Sequence, residues 1–180
     1  TVSAMVLSGG GSEEIVRISD GAESLGLRWA SALPVPELSG DTATYREVLP
    51  GVDLVVRVGV EGFSTFLIVG SREVAANPAV REVSFEIGGS GVLPTVSATG
   101  RFEARDGAGR LRFEAPVATA WDSADIPEEM RESVQALIQP PVEVDVEESA
   151  MSVSDGALVL TPDVSLLDDP ETVFPVVIDP

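Results

Sequence analysis

The sequence predicts an all-β fold of one or two packed antiparallel β-sandwich units, with at most one short helix at about residues 127–138. Apolar residues recur mostly at every second position, in short runs that turn residues separate, and this alternation is typical of half-buried strands. With 180 residues and 44% apolar side chains, the chain can bury a substantial core. Roughly a dozen short strands are best accommodated by a β-sandwich.

Six strands are predicted in the first part of the chain. Three alternating runs come first, at 2–7, 14–18 and 25–29. Three further runs with short turns between them predict a meander, at 43–47, 52–60 and 63–69. Pro50 and Gly51 suit the central positions of a type II turn in this meander, and Glu61 with Gly62 suits a hairpin turn.

The middle of the chain predicts one more strand. Residues 72–80 are expected to be irregular or to form a single helical turn. Alternation then resumes at 82–87, which places Val83, Phe85 and Ile87 on one face of a strand.

The glycine-rich run at 88–91 predicts a flexible joint and a candidate boundary. The chain would then consist of a first β-rich subdomain at 1–90 and a second at 91–180, the second carrying a variable insertion at 124–151. One continuous domain is the alternative.

The second half begins with a predicted hairpin. Residues 101–104 and 110–114 flank a short turn, and Phe102 and Phe113 would supply the buried face of this hairpin. The remaining strands are predicted at 142–146, 157–160 and 174–178.

The one predicted helix covers 127–138. Pro127 suits the first helical position, and Glu128 and Glu129 complement the helix dipole there. An apolar stripe follows at helical spacing, formed by Met130, Val134, Leu137 and Ile138.

Charge and composition exclude many functions. The 30 carboxylates against 11 bases give a net charge of −19, which repels nucleic acid and anionic bilayers, so we expect neither as a partner. There is no His and no Cys, and all the bases are Arg. The usual triads, thiolate nucleophiles, zinc sites and Schiff-base lysines are therefore excluded. Carboxylates, hydroxyls, Tyr45 and Arg remain.

The ends and the apolar runs bear on location. No run approaches the ~20 apolar residues that cross a bilayer, since the best candidate, 48–60, is interrupted by Pro, Gly, Asp and Arg. No signal peptide is visible. Both ends of the sequence look like cuts in a longer chain.

Five segments carry a resemblance to a known family, at 43–55, 62–69, 120–123, 156–162 and 174–180. Together they resemble the N-terminal or central β-rich module of large secreted actinobacterial and other Gram-positive multidomain proteins. That module lies upstream of RHS/YD-repeat, LamG-like or DNRLRE-type domains. The resemblance covers about 15–180, and its most specific pieces are 44–54 and the C-terminal segment from 160 to 180.

This resemblance implies an extracellular or cell-surface location and a long multidomain parent. Some such parents are polymorphic toxins with a C-terminal effector. The resemblance carries over no activity and no cofactor to this chain.

Acidic clusters raise the question of calcium. We expect no cofactor, and the alternative is a structural calcium ion held by Asp122, Asp125, Glu128 and Glu129. Hard cations bind six to eight oxygens from a bent backbone, but no D-x-D-x-D-G pattern occurs, and solvated carboxylates explain such runs more simply. Two further clusters are Asp168, Asp169 and Glu171, and Glu143, Asp145, Glu147 and Glu148.

The few aromatic side chains are expected to be structural. Trp29 is in phase with an alternating strand, and Trp121 is placed to close one end of a sandwich. The hydroxyl of Tyr45 is expected to fix a strand corner, and Arg46 to pair with Asp53.

We therefore expect a non-catalytic structural module that positions the neighbouring domains of its own parent chain. The alternative is a module that binds a carbohydrate or another surface polymer, although the 5% aromatic content is low for sugar platforms. A third reading is a glycoside hydrolase that uses two carboxylates, which the sequence favours least because no pair stands out among 30.

Overall fold

The computed structural model describes residues 2–141 and 146–180. Thr1 and most of the predicted strand at 142–146 lie outside this range. Strands in the first half are β1 Ala4–Leu7, β2 Glu14–Asp20, β3 Glu23–Arg28, β4 Glu37–Ser39, β5 Thr42–Leu49, β6 Val52–Val58, β7 Phe63–Val69 and β8 Val83–Ser90. Those in the second half are β9 Val92–Val96, β10 Phe102–Asp106, β11 Leu111–Ala115, β12 Thr119–Trp121, β13 Glu147–Glu148, β14 Ala150–Ser154, β15 Ala157–Thr161 and β16 Val176–Asp179.

These strands form three antiparallel sheets, which confirms the predicted all-β class. The six-stranded sheet has the order β1-β2-β3-β8-β15-β14, and the seven-stranded sheet has the order β13-β12-β16-β7-β6-β5-β4. A three-stranded sheet has the order β11-β10-β9. The predicted meander is β5-β6-β7, and the predicted second hairpin is β10-β11.

One hydrophobic core lies between the two large sheets and extends to the three-stranded sheet. The six-stranded sheet contributes residues such as Ile15 and Phe85, and the seven-stranded sheet contributes residues such as Leu54 and Ile178. Phe102 and Phe113 add the buried face of the third sheet, as predicted. Strands from before and after the glycine-rich run share both large sheets, because β8 pairs with β15 and β7 pairs with β16.

The central strands of the seven-stranded sheet, β6, β7 and β16, are buried on both faces. In β16, Val176 and Ile178 belong to the core between the sheets, whereas Val177 belongs to a second cluster on the opposite face. All three are fully buried. Residues 124–141 cover that opposite face, where Leu137 and Ile138 pack against the sheet. The near-continuous apolar sequence of β16 follows from this two-sided burial.

The helical segments are short. They are α1 Arg72–Ala75, α2 Pro78–Arg81, α3 Val134–Leu137 and α4 Val164–Asp168, with a 3₁₀ turn at Glu128–Met130. The predicted helix at 127–138 is therefore two separate turns. Ser133 caps α3, since its hydroxyl accepts a hydrogen bond from the amide of Ala136 at 3.4 Å, and a capping serine starts a new helix rather than continuing one. Met130, expected on the buried stripe, is 47% exposed.

The prediction of a flexible joint at 88–91 is corrected by the structure. Residues 88–90 belong to β8 and pair with β3, with Gly89 opposite Leu25 and Gly88 opposite Gly26. A Cβ atom at Gly89 would lie 2.1 Å from the carbonyl oxygen of Ser24. The glycines here allow a close approach of two backbones in a sheet.

Candidate functional site

The segments that carry the family resemblance come together in space. The strands β12, β16, β7, β6 and β5 are consecutive neighbours in the seven-stranded sheet. These strands contain four of the five segments, and the fifth lies in β15 of the facing sheet. The resembling parts of the sequence thus build one contiguous sheet and part of the layer that covers it.

The aromatic side chains in these segments are used for packing, as predicted. The Tyr45 hydroxyl donates to the Ser8 carbonyl at 2.7 Å, which ties β5 to the loop after β1, and burial raises the pKa of Tyr45. Trp121 is 2% exposed, and its Nε1 donates to the carbonyl of Leu137 at 3.0 Å. This bond holds α3 against the sheet.

The other tryptophan also lies in the core. Trp29 is 5% exposed and packs against Phe85, with 5.5 Å between the ring centroids. Its burial agrees with the structural role expected from the alternating pattern.

The sequence Trp-Asp-Ser at 121–123 fixes the chain before β16. The Ser123 hydroxyl donates to the carbonyl of Pro175 at 2.5 Å, and the Asp122 carboxylate accepts from the amide of Val173 at 2.9 Å. The peptide bond between Phe174 and Pro175 is cis. Sequence reasoning did not find this contact, because its partners are about 50 positions apart and no local pattern links them.

Arg46 lies in a local network around the turn between β5 and β6. Its guanidinium contacts Asp53 at 2.8 Å and Glu37 at 3.1 Å, and hydrogen bonds to these two carboxylates raise the pKa of Arg46. The other oxygen of Asp53 accepts from the amide of Glu47 at 2.8 Å. Gly51 has φ +76°, as the predicted type II turn requires. The most specific segment of the resemblance is thus a turn stabilised from within, and the predicted pairing of Arg46 with Asp53 is confirmed.

The four residues considered for calcium do not form a ligand cage. Asp122 is engaged by two backbone amides, those of Ala124 and Val173, whereas Asp125, Glu128 and Glu129 are exposed. Within residues 2–141 and 146–180, no group of three or more Asp and Glu side chains is placed to hold a metal ion. Calcium binding by these four residues stays the alternative to the expected absence of a cofactor.

The structure nevertheless brings the acidic clusters of the sequence to one place. A surface depression of about 520 Å³ includes at least one residue of each cluster, namely Asp122, Asp125, Glu147, Asp169 and Glu171. Glu143 and Asp145 lie outside the described residues. The sequence separates these carboxylates by up to 49 positions, so their proximity could not be predicted from it.

A second cavity of about 500 Å³ lies where the three sheets meet, and we call it the inter-sheet cleft. Its walls are mainly core side chains, among them Ile18, Leu25, Leu27, Phe63, Phe102, Phe113, Met151 and Leu158. Its charged lining residues are Asp20, Glu61, Arg112, Glu114 and Asp179. Sequence reasoning did not anticipate it, since no single strand contains more than four of its lining residues.

Arg112 is the cation of the inter-sheet cleft, and it joins the three-stranded sheet to the six-stranded one. Its guanidinium contacts Asp20 at 3.0 Å and Glu23 at 2.9 Å. Its Nε is buried without a hydrogen-bond partner in the described part of the chain. The positive charge of Arg112 is therefore already balanced by two carboxylates.

Asp179 is a carboxylate of the inter-sheet cleft with a strongly altered pKa. Burial raises its pKa from 3.8 to about 6, and the charge of Arg57 partly opposes that shift. Asp179 lies opposite Thr119 in the ladder between β12 and β16. The guanidinium of Arg57 stacks on the ring of Phe66, 5.1 Å from its centroid.

The longest helix in the described part of the chain has five residues, and none of the helices there has the length and apolar character needed to span a membrane. Comparison of the chain with known proteins found no matching family model, no matching curated protein and no matching solved structure. Its function is therefore inferred from its own residues.

Proposed function

We propose that this chain is a non-catalytic structural module of a large secreted or cell-surface bacterial protein, in which it positions the neighbouring domains. The observation that carries the proposal is that the distinctive polar and aromatic residues of the chain form hydrogen bonds within the fold. Tyr45, Trp121 and Ser123 each donate to a backbone carbonyl of another segment. Side chains committed to internal hydrogen bonds serve the fold rather than a substrate.

The buried central strands of the seven-stranded sheet support the proposed positioning role. Its central strands pair through β16, β7 and β6, and these strands contribute to apolar clusters on both faces. A sheet covered on both sides resists local opening, because each strand loses packing on two faces when it separates. Such rigidity is what a module needs to hold its neighbours at a fixed distance.

Exposed apolar residues near the free edge of this sheet offer contact points for neighbouring domains. The edge strand β4 is exposed throughout, and Leu38 and Val35 are 77% and 80% exposed. Exposed apolar groups at an unpaired edge favour association with another surface.

The test measures spacing in the longer natural protein that contains this chain. Spin labels on the domains before and after it should give a narrow distance distribution. Replacement of the module by a Gly/Ser linker of equal length should broaden that distribution. An equally broad distribution with the native module would contradict the positioning role.

The alternative is a module that binds a glycan or another surface polymer, and the acidic depression is the observation that favours it. Carboxylates accept hydrogen bonds from sugar hydroxyls, and five of them line this surface. Retention of the isolated chain on a glycan array, lost in the Asp169→Asn variant, would favour the alternative. Turnover of a glycoside by the isolated chain would instead favour the carboxylate hydrolase.

A further inference from the structure

We infer that the inter-sheet cleft is a binding site for a small molecule that combines an apolar body with a protonated amine. The inference does not depend on the structural role proposed above, since a rigid spacer can also hold a ligand. It depends on the walls, the charge and the shape of this one cavity.

The walls of the inter-sheet cleft come from all three sheets and are mainly apolar. Leu25 and Leu27 belong to the six-stranded sheet, Phe63 to the seven-stranded sheet, and Phe102 and Phe113 to the three-stranded sheet. The volume of about 500 Å³ lies within the range of small-molecule sites, which are mostly apolar with a few polar groups. An apolar body placed there gains burial at roughly 25 cal/mol per Å².

The charge of the inter-sheet cleft selects the polar group of the ligand. Four carboxylates line it, those of Asp20, Glu61, Glu114 and Asp179, against the single lining cation Arg112. Glu114 is itself paired with Arg101 at 3.0 Å, so the negative charge that a ligand meets comes mainly from Glu61 and Asp179. Two carboxylates already neutralise Arg112. An anion entering the cleft therefore meets no available positive charge, and the net charge of −19 repels it further. A cation is attracted, and the low-polarity walls strengthen that attraction.

The shape of the inter-sheet cleft favours a compact ligand over a peptide. Three sheets bound the cavity, and the turn between β6 and β7 contributes Val60, Glu61 and Gly62 to its lining. A cavity of about 500 Å³ accepts a molecule of drug-like size, whereas an extended peptide binds along an open groove or a free strand edge.

A matched series of three probes tests the inference. They are 1-naphthylmethylammonium, 1-naphthylmethanol and 1-naphthylacetate, which share the apolar body and differ in charge. Calorimetric titration of the isolated chain at pH 7.5 should show the ammonium binding roughly tenfold more tightly than the alcohol, a difference of about 1.4 kcal/mol. The acetate should bind more weakly than the alcohol.

Three variants localise the binding. Ala115→Trp fills the inter-sheet cleft and should abolish binding of the ammonium, whereas Leu93→Trp, on an exposed position outside it, should leave binding unchanged. Glu61→Gln should weaken binding of the ammonium severalfold and leave binding of the alcohol unchanged, because the substitution removes only a charge. Circular dichroism checks that each variant is folded.

Nuclear Overhauser effects give a readout that does not depend on the folding of any variant. Contacts between the naphthyl protons and the methyl groups of Leu25 and Leu27 in the unmodified chain would support the site. Any of four results would overturn it: no saturable binding below about 1 mM, acetate binding as tightly as the ammonium, undiminished binding by folded Ala115→Trp, or no contacts to these methyl groups. None of these results would bear on the spacing role.

Discussion

Replacement of Asp179 by asparagine is expected to stabilise the chain at neutral pH and to lose that effect in acid. Burial makes the charged form of this carboxyl unfavourable in the folded state, where its pKa is about 6, compared with 3.8 as the ordinary value. At pH 7 and above, folding therefore places a negative charge where it is poorly solvated. An uncharged amide of the same shape does not incur this cost.

The size and sign of the effect follow from the two pKa values. A difference of about 2 pKa units corresponds to roughly 3 kcal/mol of unfolding free energy once both states are ionised, above about pH 7. Because the folded pKa is the higher one, the cost is absent below the unfolded pKa and grows as pH rises through 6. It should fall to roughly 0.5 kcal/mol at pH 4. The side chain is only partly buried, so 3 kcal/mol is an upper limit.

Urea unfolding followed by tryptophan fluorescence measures this prediction across pH 4 to 8. The stability of Asp179→Asn should rise above that of the unmodified chain as the pH increases, whereas the exposed control Asp125→Asn should show no such trend. Equal stability of Asp179→Asn and the unmodified chain at pH 8 would show that burying the charged carboxylate does not lower the free energy of unfolding. A difference in stability that does not change with pH would show that ionisation is not its cause.

Four further predictions concern turns, buried hydrogen bonds and metal. Gly40→Ala should cost about 1–2 kcal/mol of stability for positive φ alone. Gly51→Ala should cost more, because the new methyl group would also lie 2.4 Å from a valine side chain. Thermal melts compare the two variants. Tyr45→Phe should cost about 1 kcal/mol in urea unfolding through the lost hydrogen bond, and equal stability would show that the bond contributes nothing. Trp121→Phe should cost about 1–3 kcal/mol, because a buried carbonyl loses its donor, and hydrogen exchange in α3 should speed up. Calcium titration should give neither heat nor a higher melting temperature, whereas saturable heat that Asp122→Asn removes would reveal an ion site.

Local patterns predicted eleven of the sixteen described strands, because a strand and its turn are encoded by neighbouring residues, but they missed β4, β9, β12, β13 and β14. The turn at Pro50 and Gly51 and the buried faces of Phe102 and Phe113 needed no long-range information. The hairpin turn before β15 is also a local feature, with Asp155 and Gly156 both at positive φ.

The helix at 127–138 was predicted as one element because its apolar spacing fits a helix. In the structure, the apolar residues of this segment contact a sheet, and Ser133 separates the segment into two helical turns. The glycines at 88–91 were predicted as a joint because glycine gives the same local signal in a loop and in a close pairing of strands. Tertiary packing decides between these interpretations, and a local sequence pattern does not reveal that packing.

The candidate sites depend on long-range geometry. The inter-sheet cleft needs residues from three sheets, and the acidic depression needs carboxylates from 122 and 171 to approach each other. Asp122 shows most clearly that a sequence pattern does not reveal long-range contacts. Its place in an acidic cluster made it a calcium candidate, and no local pattern indicated that its carboxylate accepts a hydrogen bond from the amide of Val173.

Native-state hydrogen exchange measures whether the central strands of the seven-stranded sheet are protected by burial on both faces. We expect the amides of Val177 and Ile68 to exchange only through global unfolding, with protection equal to the full stability of the chain. Amides of the exposed edge strand β4 should exchange much faster. If Val177 and Ile68 exchanged as quickly as β4, the sheet would not be the rigid centre of the module, and the structural role built on it would fail.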